Sequence, residues 1–135
     1  MSRIFPYVLL TVSAVLFIWA VLGFIEYFAP SVAFGLQDPG FPPGTQFLHW
    51  LLLLLTGTIF VAGFLLRWRH TPFATITMYA TLATLCFVET VDFGAFGGGP
   101  ERFGFMAAEY VVYIALSIYL TRSQHIAERF ETPTA

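Results

Sequence analysis

The chain has 135 residues, of which 58% are hydrophobic and only 10% charged, with a formal net charge of −2. A soluble domain carries roughly a quarter charged residues, so that class is excluded, and a mean hydropathy of +0.78 indicates one compact membrane domain instead. The single cysteine, Cys86, excludes an internal disulfide framework and any paired-cysteine metal or redox motif; the absence of a basic tract interleaved with aromatics argues against nucleic acid as a partner.

The first apolar segment runs from Ile4 to Ala29 and is closed by Pro30. A helix needs roughly 20 residues to cross a bilayer, and this segment is long enough with some tilt. Arg3 would also suit a signal peptide, but a signal core has roughly 7–15 residues and no small-x-small cleavage site precedes Pro30. The transmembrane reading is preferred. Ser31 to Thr45 is punctuated as a loop by Asp38-Pro39-Gly40 and Pro42-Pro43-Gly44, with Thr45 expected to cap the helix that follows. The second span is Phe47–Leu66; Trp50 near one end and Trp68 beyond the other read as interfacial belts.

After the turn Arg67-Trp68-Arg69-His70, Thr71 and Pro72 are expected to restart the helix. The third span covers about 73–93. Ala74, Thr77, Thr81 and Thr84 form a small, weakly polar stripe at helical spacing, read as a packing seam. Gly94 to Gly99 is a glycine-rich loop. Pro100 and Glu101 open the fourth span, about 101–121, and the polar tail 128–135 is expected to fray. The chain is therefore read as one all-α domain, residues 1–127, built as a four-transmembrane-helix bundle.

Four spans put both termini on one side, together with Arg3, Arg67, Arg69, Arg122 and Arg129. The positive-inside rule makes that side cytoplasmic, in a membrane read as the bacterial inner membrane. Six of the eight acids, Glu26, Asp38, Glu89, Asp92, Glu101 and Glu109, then fall toward the outer side.

The stretch from Cys86 to Phe105, which opens CFVETVDFGAFGGGPERF, carries most of the functional signal. Acids within apolar spans are expensive and mark a functional site by default. Each span brings an ionisable group to a similar outer depth: Glu26, His49, Glu89 with Asp92, and Glu109. Glu89 and Asp92 are three apart on one helix flank. Glu109 lies about nine residues past Pro100, or roughly 13 Å of helix. Tyr110 and Tyr113 flank it, and either hydroxyl is a candidate hydrogen-bond partner for its carboxylate.

Two readings of this cluster stand side by side. The plain one is interfacial carboxylates solvated by headgroup water or neutralised by Arg102. The functional one is an outward cation, proton or ligand site. His49, Glu89, Asp92 and Glu109 would supply a mixed nitrogen and oxygen set for a divalent metal, and a quinone at the outer face is the other cofactor considered. His70 and His125 fall at the opposite end and do not complete the set. The glycine loop lacks the lysine and hydroxyl of a phosphate-binding loop. No serine–histidine–acid arrangement suggests hydrolysis, so an enzyme is the less favoured class.

The layout of four short spans with an arginine turn after the second, FLLRWRHTPFA, is similar to that of DoxX-like membrane proteins. The similarity covers topology. The acidic and basic residues looked for in the first two helices of that family are absent or displaced, so it implies no function for this chain.

Two functions are expected from the sequence. The first is a non-catalytic subunit, or partner-binding component, of a larger membrane complex, embedded in the bilayer against other integral membrane subunits or copies of itself. The second is a small cation- or proton-coupled transporter, or a redox protein that binds a metal or quinol at the outer cluster.

Overall fold

A computed structural model describes residues 3–32, 34–95 and 99–131. It is all-helical, with four long helices and a short fifth: α1 Phe5–Phe28, α2 Pro43–Leu66, α3 Thr71–Val91, α4 Arg102–Arg122 and α5 Gln124–Phe130. The first four are long and apolar enough to cross a membrane.

Their ends follow local chemistry. α1 stops at Ala29, next to Pro30, because a residue before proline is driven out of the helical region. α2 begins four residues earlier than the apolar pattern suggests. Pro43 has a preset φ and no donor to waste, so it opens the helix, and Thr45 lies inside rather than capping it. Arg67 ends α2 in the left-handed region at φ 54°, while the Trp68 N–H returns to the Gly63 carbonyl at 2.9 Å. Thr71 is the first residue of α3, and its hydroxyl donates to the Trp68 carbonyl at 2.6 Å, which tightens the turn.

Each long helix packs chiefly on its neighbours along the chain. The α1–α2 contact is close because of glycine. A Cβ on Gly57 would stand 2.8 Å from the Ser13 carbonyl oxygen and 2.9 Å from the Phe17 nitrogen, both backbone atoms. Gly23 leaves the space that the Trp50 indole fills. Trp50 is only 1% exposed, so the belt role expected of it is corrected; Trp68, at 47%, remains exposed.

The arginine-bearing end closes over an apolar core of Leu9, Phe60, Phe64, Tyr79, Tyr119, Leu120, Ile126 and Phe130. Phe5 meets Tyr119 edge-on at 4.5 Å, linking α1 to α4 there. The polar tail reading is corrected as well. Residues 124–130 form α5, which crosses the boundary placed at 127 and inserts Ile126 and Phe130 into the core. Arg129 fixes it: its Nη2 and Nε donate to the Phe64 carbonyl at 2.7 and 3.2 Å, at the end of α2 where carbonyls lack helical partners. Arg67 Nε returns a bond to the Arg129 carbonyl at 3.3 Å.

The threonine stripe on α3 does not form an internal seam. Thr77, Thr81 and Thr84 are exposed, and their hydroxyls bond to the carbonyls of Phe73, Thr77 and Ala80 in their own helix. Burial falls instead on Thr71, Thr75, Tyr79, Leu82, Cys86, Glu89 and Thr90. Small size alone cannot tell which face turns inward; the aromatic and acidic residues on the opposite flank decided it.

Candidate functional site

At the end opposite the arginines, the 29–42 connection folds down over α1 and α2. Its anchor is Glu26, near the end of α1 and 7% exposed. One carboxylate oxygen accepts from the Phe34 N–H at 2.7 Å, and both are within 3.2 Å of the Leu36 N–H. The Gln37 N–H adds a further bond at 3.2 Å. Three backbone donors can converge because Gly35 between them takes φ +73°, a left-handed value that turns successive N–H groups toward one point. Glu26 is thus occupied by the protein's own backbone, and its sequence-based role as a ligand for an ion is corrected to that of a loop anchor.

Two glutamines complete the cap. Gln37 donates its amide to the Gly23 carbonyl at 2.9 Å and accepts from the Trp50 indole at 3.0 Å. Gln46 donates to the Asp38 carbonyl at 2.6 Å and accepts from the Asp38 N–H at 3.2 Å. An open cleft of about 530 Å³ lies between this cap and the helix ends, lined by residues that include Glu26, Tyr27, Gln37, Phe41 and Gln46. Uncharged amides give little signal in a sequence, so Gln37 and Gln46 were not singled out there.

The expected cluster is drawn together only in part. His49 on α2 and Glu89 on α3 meet at 2.9 Å, Nδ1 to Oε1, with side chains 30% and 9% exposed. An ionised carboxylate can only accept, so with Glu89 ionised Nδ1 carries the donated hydrogen, and where the imidazole is neutral Nε2 keeps its lone pair. Among the described residues Nε2 has no hydrogen-bond partner. The imidazole is held edge-on to Trp50, with ring centroids 4.8 Å apart, and near Phe41 at 6.5 Å. Phe41 also reaches Phe93 at the end of α3, 6.4 Å away. The cap therefore bears on the His49–Glu89 pair from above.

The other members stand apart. Asp92 is exposed at the C-terminal cap of α3. Glu109 is half-buried on α4, and the Cys86 thiol on α3 lies 4.0 Å from the Thr90 hydroxyl. Among the described residues, the hydrogen-bond partner of Glu89 is His49 rather than Arg102, and neither Asp92 nor Glu109 forms an ion pair. The Arg102 guanidinium lies over the Phe103 ring at 4.8 Å. Tyr110 does not serve Glu109. Adjacent residues point about 100° apart around a helix, and the Tyr110 hydroxyl donates to the Ala83 carbonyl on α3 at 3.0 Å. Tyr113 stacks on Tyr79, with centroids 5.4 Å apart. Among the described residues, no group of three or more His, Cys, Asp and Glu side chains is placed to hold a metal ion. Within the glycine loop, Gly97 and Gly98 lie outside the described residues; Gly94 turns the chain at φ +64°.

Compared with family models, curated proteins and solved structures, the chain matches none. The likeness to DoxX-like proteins is therefore one of layout alone.

Proposed function

We propose that this protein is a partner-binding component of a larger membrane complex, lying in the bacterial inner membrane with both termini in the cytoplasm. The observation that carries this reading is the outward stripe Thr77, Thr81 and Thr84 on α3. Short side chains whose hydroxyls are already satisfied by their own helix let another helix approach closely without stranding a polar group. The neighbouring helix agrees: among the described residues of α4, only Tyr119 and Leu120 are buried, and Gly104, Ala107 and Ala108 are exposed. The occupant is a helix of a second integral membrane polypeptide. Phe60, fully buried in the apolar core at the arginine end, supports this reading over a transport path.

Purification in mild detergent, followed by mass spectrometry, tests this directly. A second polypeptide should accompany the wild-type protein and be lost when Thr77, Thr81 and Thr84 are all changed to Leu. A protein that runs alone, or that pairs only with itself, would remove the reading.

A second reading has its own support. A histidine oriented by a buried carboxylate, with its other nitrogen unpartnered, is a suitable proton acceptor or cation ligand. Under this reading His49 and Glu89 serve a proton- or cation-coupled function at the outer face. Cation uptake into liposomes by the isolated protein, abolished by Glu89→Gln, would favour it over the first.

A further inference from the structure

Arg3 and Arg129 both line a cleft of about 340 Å³ at the end opposite the cap, formed by the start of α1, the end of α2 and α5. Tyr7, Phe64, His125 and Glu128 also line it. The charges are unequal: two arginines face one carboxylate, and Glu128 lies 3.9 Å from His125. Arg129 is already positioned. It is bonded to the Phe64 carbonyl through Nη2 and Nε and lies over the Phe64 ring at 4.3 Å, so presenting its charge to a ligand requires little further ordering of the side chain. Tyr7 and Phe64 meet edge-on at 5.6 Å and give the cleft an aromatic wall.

A positive cleft with an aromatic wall fits a phosphate that carries an apolar extension. Apolar residues at the same two helix ends are exposed: Val8 of α1 and Leu65 and Leu66 of α2, at 45%, 64% and 79%. We propose that the cleft binds the phosphate of an anionic phospholipid headgroup, with Arg3 and Arg129 as its cationic contacts and the acyl chains lying along the exposed apolar residues of α1 and α2. Basic pockets at the ends of membrane helices recognise such headgroups through the same combination of charge and apolar surface. The bound lipid would hold α5 against the ends of α1 and α2.

Native mass spectrometry of the full-length protein in detergent tests the site, with phosphatidylglycerol or phosphatidylcholine added at equal concentration. Phosphatidylglycerol should be retained and phosphatidylcholine lost. Arg3→Gln should weaken phosphatidylglycerol retention about fivefold, the usual effect of one basic residue near an anionic surface. Arg122→Gln, a neighbouring arginine outside the cleft, should leave it unchanged. Equal retention of the two lipids, or equal losses in the two variants, would overturn the proposal. Displacement of the lipid by millimolar inorganic phosphate would reassign the cleft to a free anion and overturn the lipid assignment. With the wild-type protein, phosphatidylglycerol bearing a photoreactive headgroup should label α5 or the first turn of α1; labelling confined to other segments would also overturn it.

Discussion

The two ends of this molecule solve opposite problems. At the arginine end, aromatic rings from α2 and α5 close on one another, Phe60 on Phe64 at 5.9 Å and Phe130 on Phe64 at 6.0 Å. At the acidic end, the chain draws in a carboxylate, two amides and an indole N–H, with Gln37 half-buried and Glu26, Gln46 and Trp50 buried, and satisfies them with named bonds to Phe34, Leu36, Gln37, Gly23 and Asp38. The first end gains from dispersion and area removed from water, which need only shape. The second depends on directional bonds, where one missing partner strands others. Stability should therefore be spread broadly at one end and held by a few groups at the other.

The largest expected effect breaks the arginine end. Phe60→Ala removes a fully buried ring from the core and should destabilise the protein by about 3–5 kcal/mol, read as a lowered unfolding midpoint in detergent. Amide exchange should rise across α2 and α5 together. If α5 keeps its protection, the core is less cooperative than the packing of Phe60 against Phe130 implies.

Next in size is Glu26→Ala, which leaves the three amides of Phe34, Leu36 and Gln37 without their acceptor. A loss of about 2–3 kcal/mol is expected, since hydrogen bonds to a charged group contribute about 1.5–3 kcal/mol each and these three, on half-buried or exposed residues, are not additive. Exchange should accelerate at those three amides while α5 stays protected. A uniform rise over the whole chain would show that the ends unfold as one unit. Gly35→Ala is a milder break of the same feature. It asks an L side chain to adopt the left-handed region, at about 1–2 kcal/mol, and should quicken exchange in the same segment to a smaller degree.

The smallest effect on stability is expected at His49→Gln. Glutamine still offers Glu89 a donor, so the change should stay within about 1 kcal/mol by thermal unfolding. It removes the Nε2 lone pair, however. A variant that folds normally but loses proton or cation coupling would separate the chemistry of this pair from its structural part; a large loss of stability would show that the pair is chiefly a tie between α2 and α3.

Much of the architecture was legible in the chain because bilayer crossing depends on local composition. Long apolar runs between prolines, glycines and arginines mark four helices whatever their packing. The site was less legible. The separation of Glu26 from the other acids hinges on Gly35 and on backbone N–H groups, which have no side-chain signature. The choice of His49 over Arg102 as the partner of Glu89 depends on how α2 lies against α3. Tyr110 and Glu109 are neighbours in sequence, yet the Tyr110 hydroxyl donates to the Ala83 carbonyl, a consequence of helical rotation that adjacency hides.

The sequence by itself determined the four long apolar helices, because hydrophobicity acts locally along the chain. Only the tertiary structure decided that Trp50 is buried, that the threonines of α3 face outward, that residues 124–130 close the core, and that Glu26 serves the loop. Each of those outcomes turns on which surfaces fit in three dimensions: Gly23 makes room for the indole, Gly57 lets α1 meet α2, and Gly35 turns three amides onto one carboxylate.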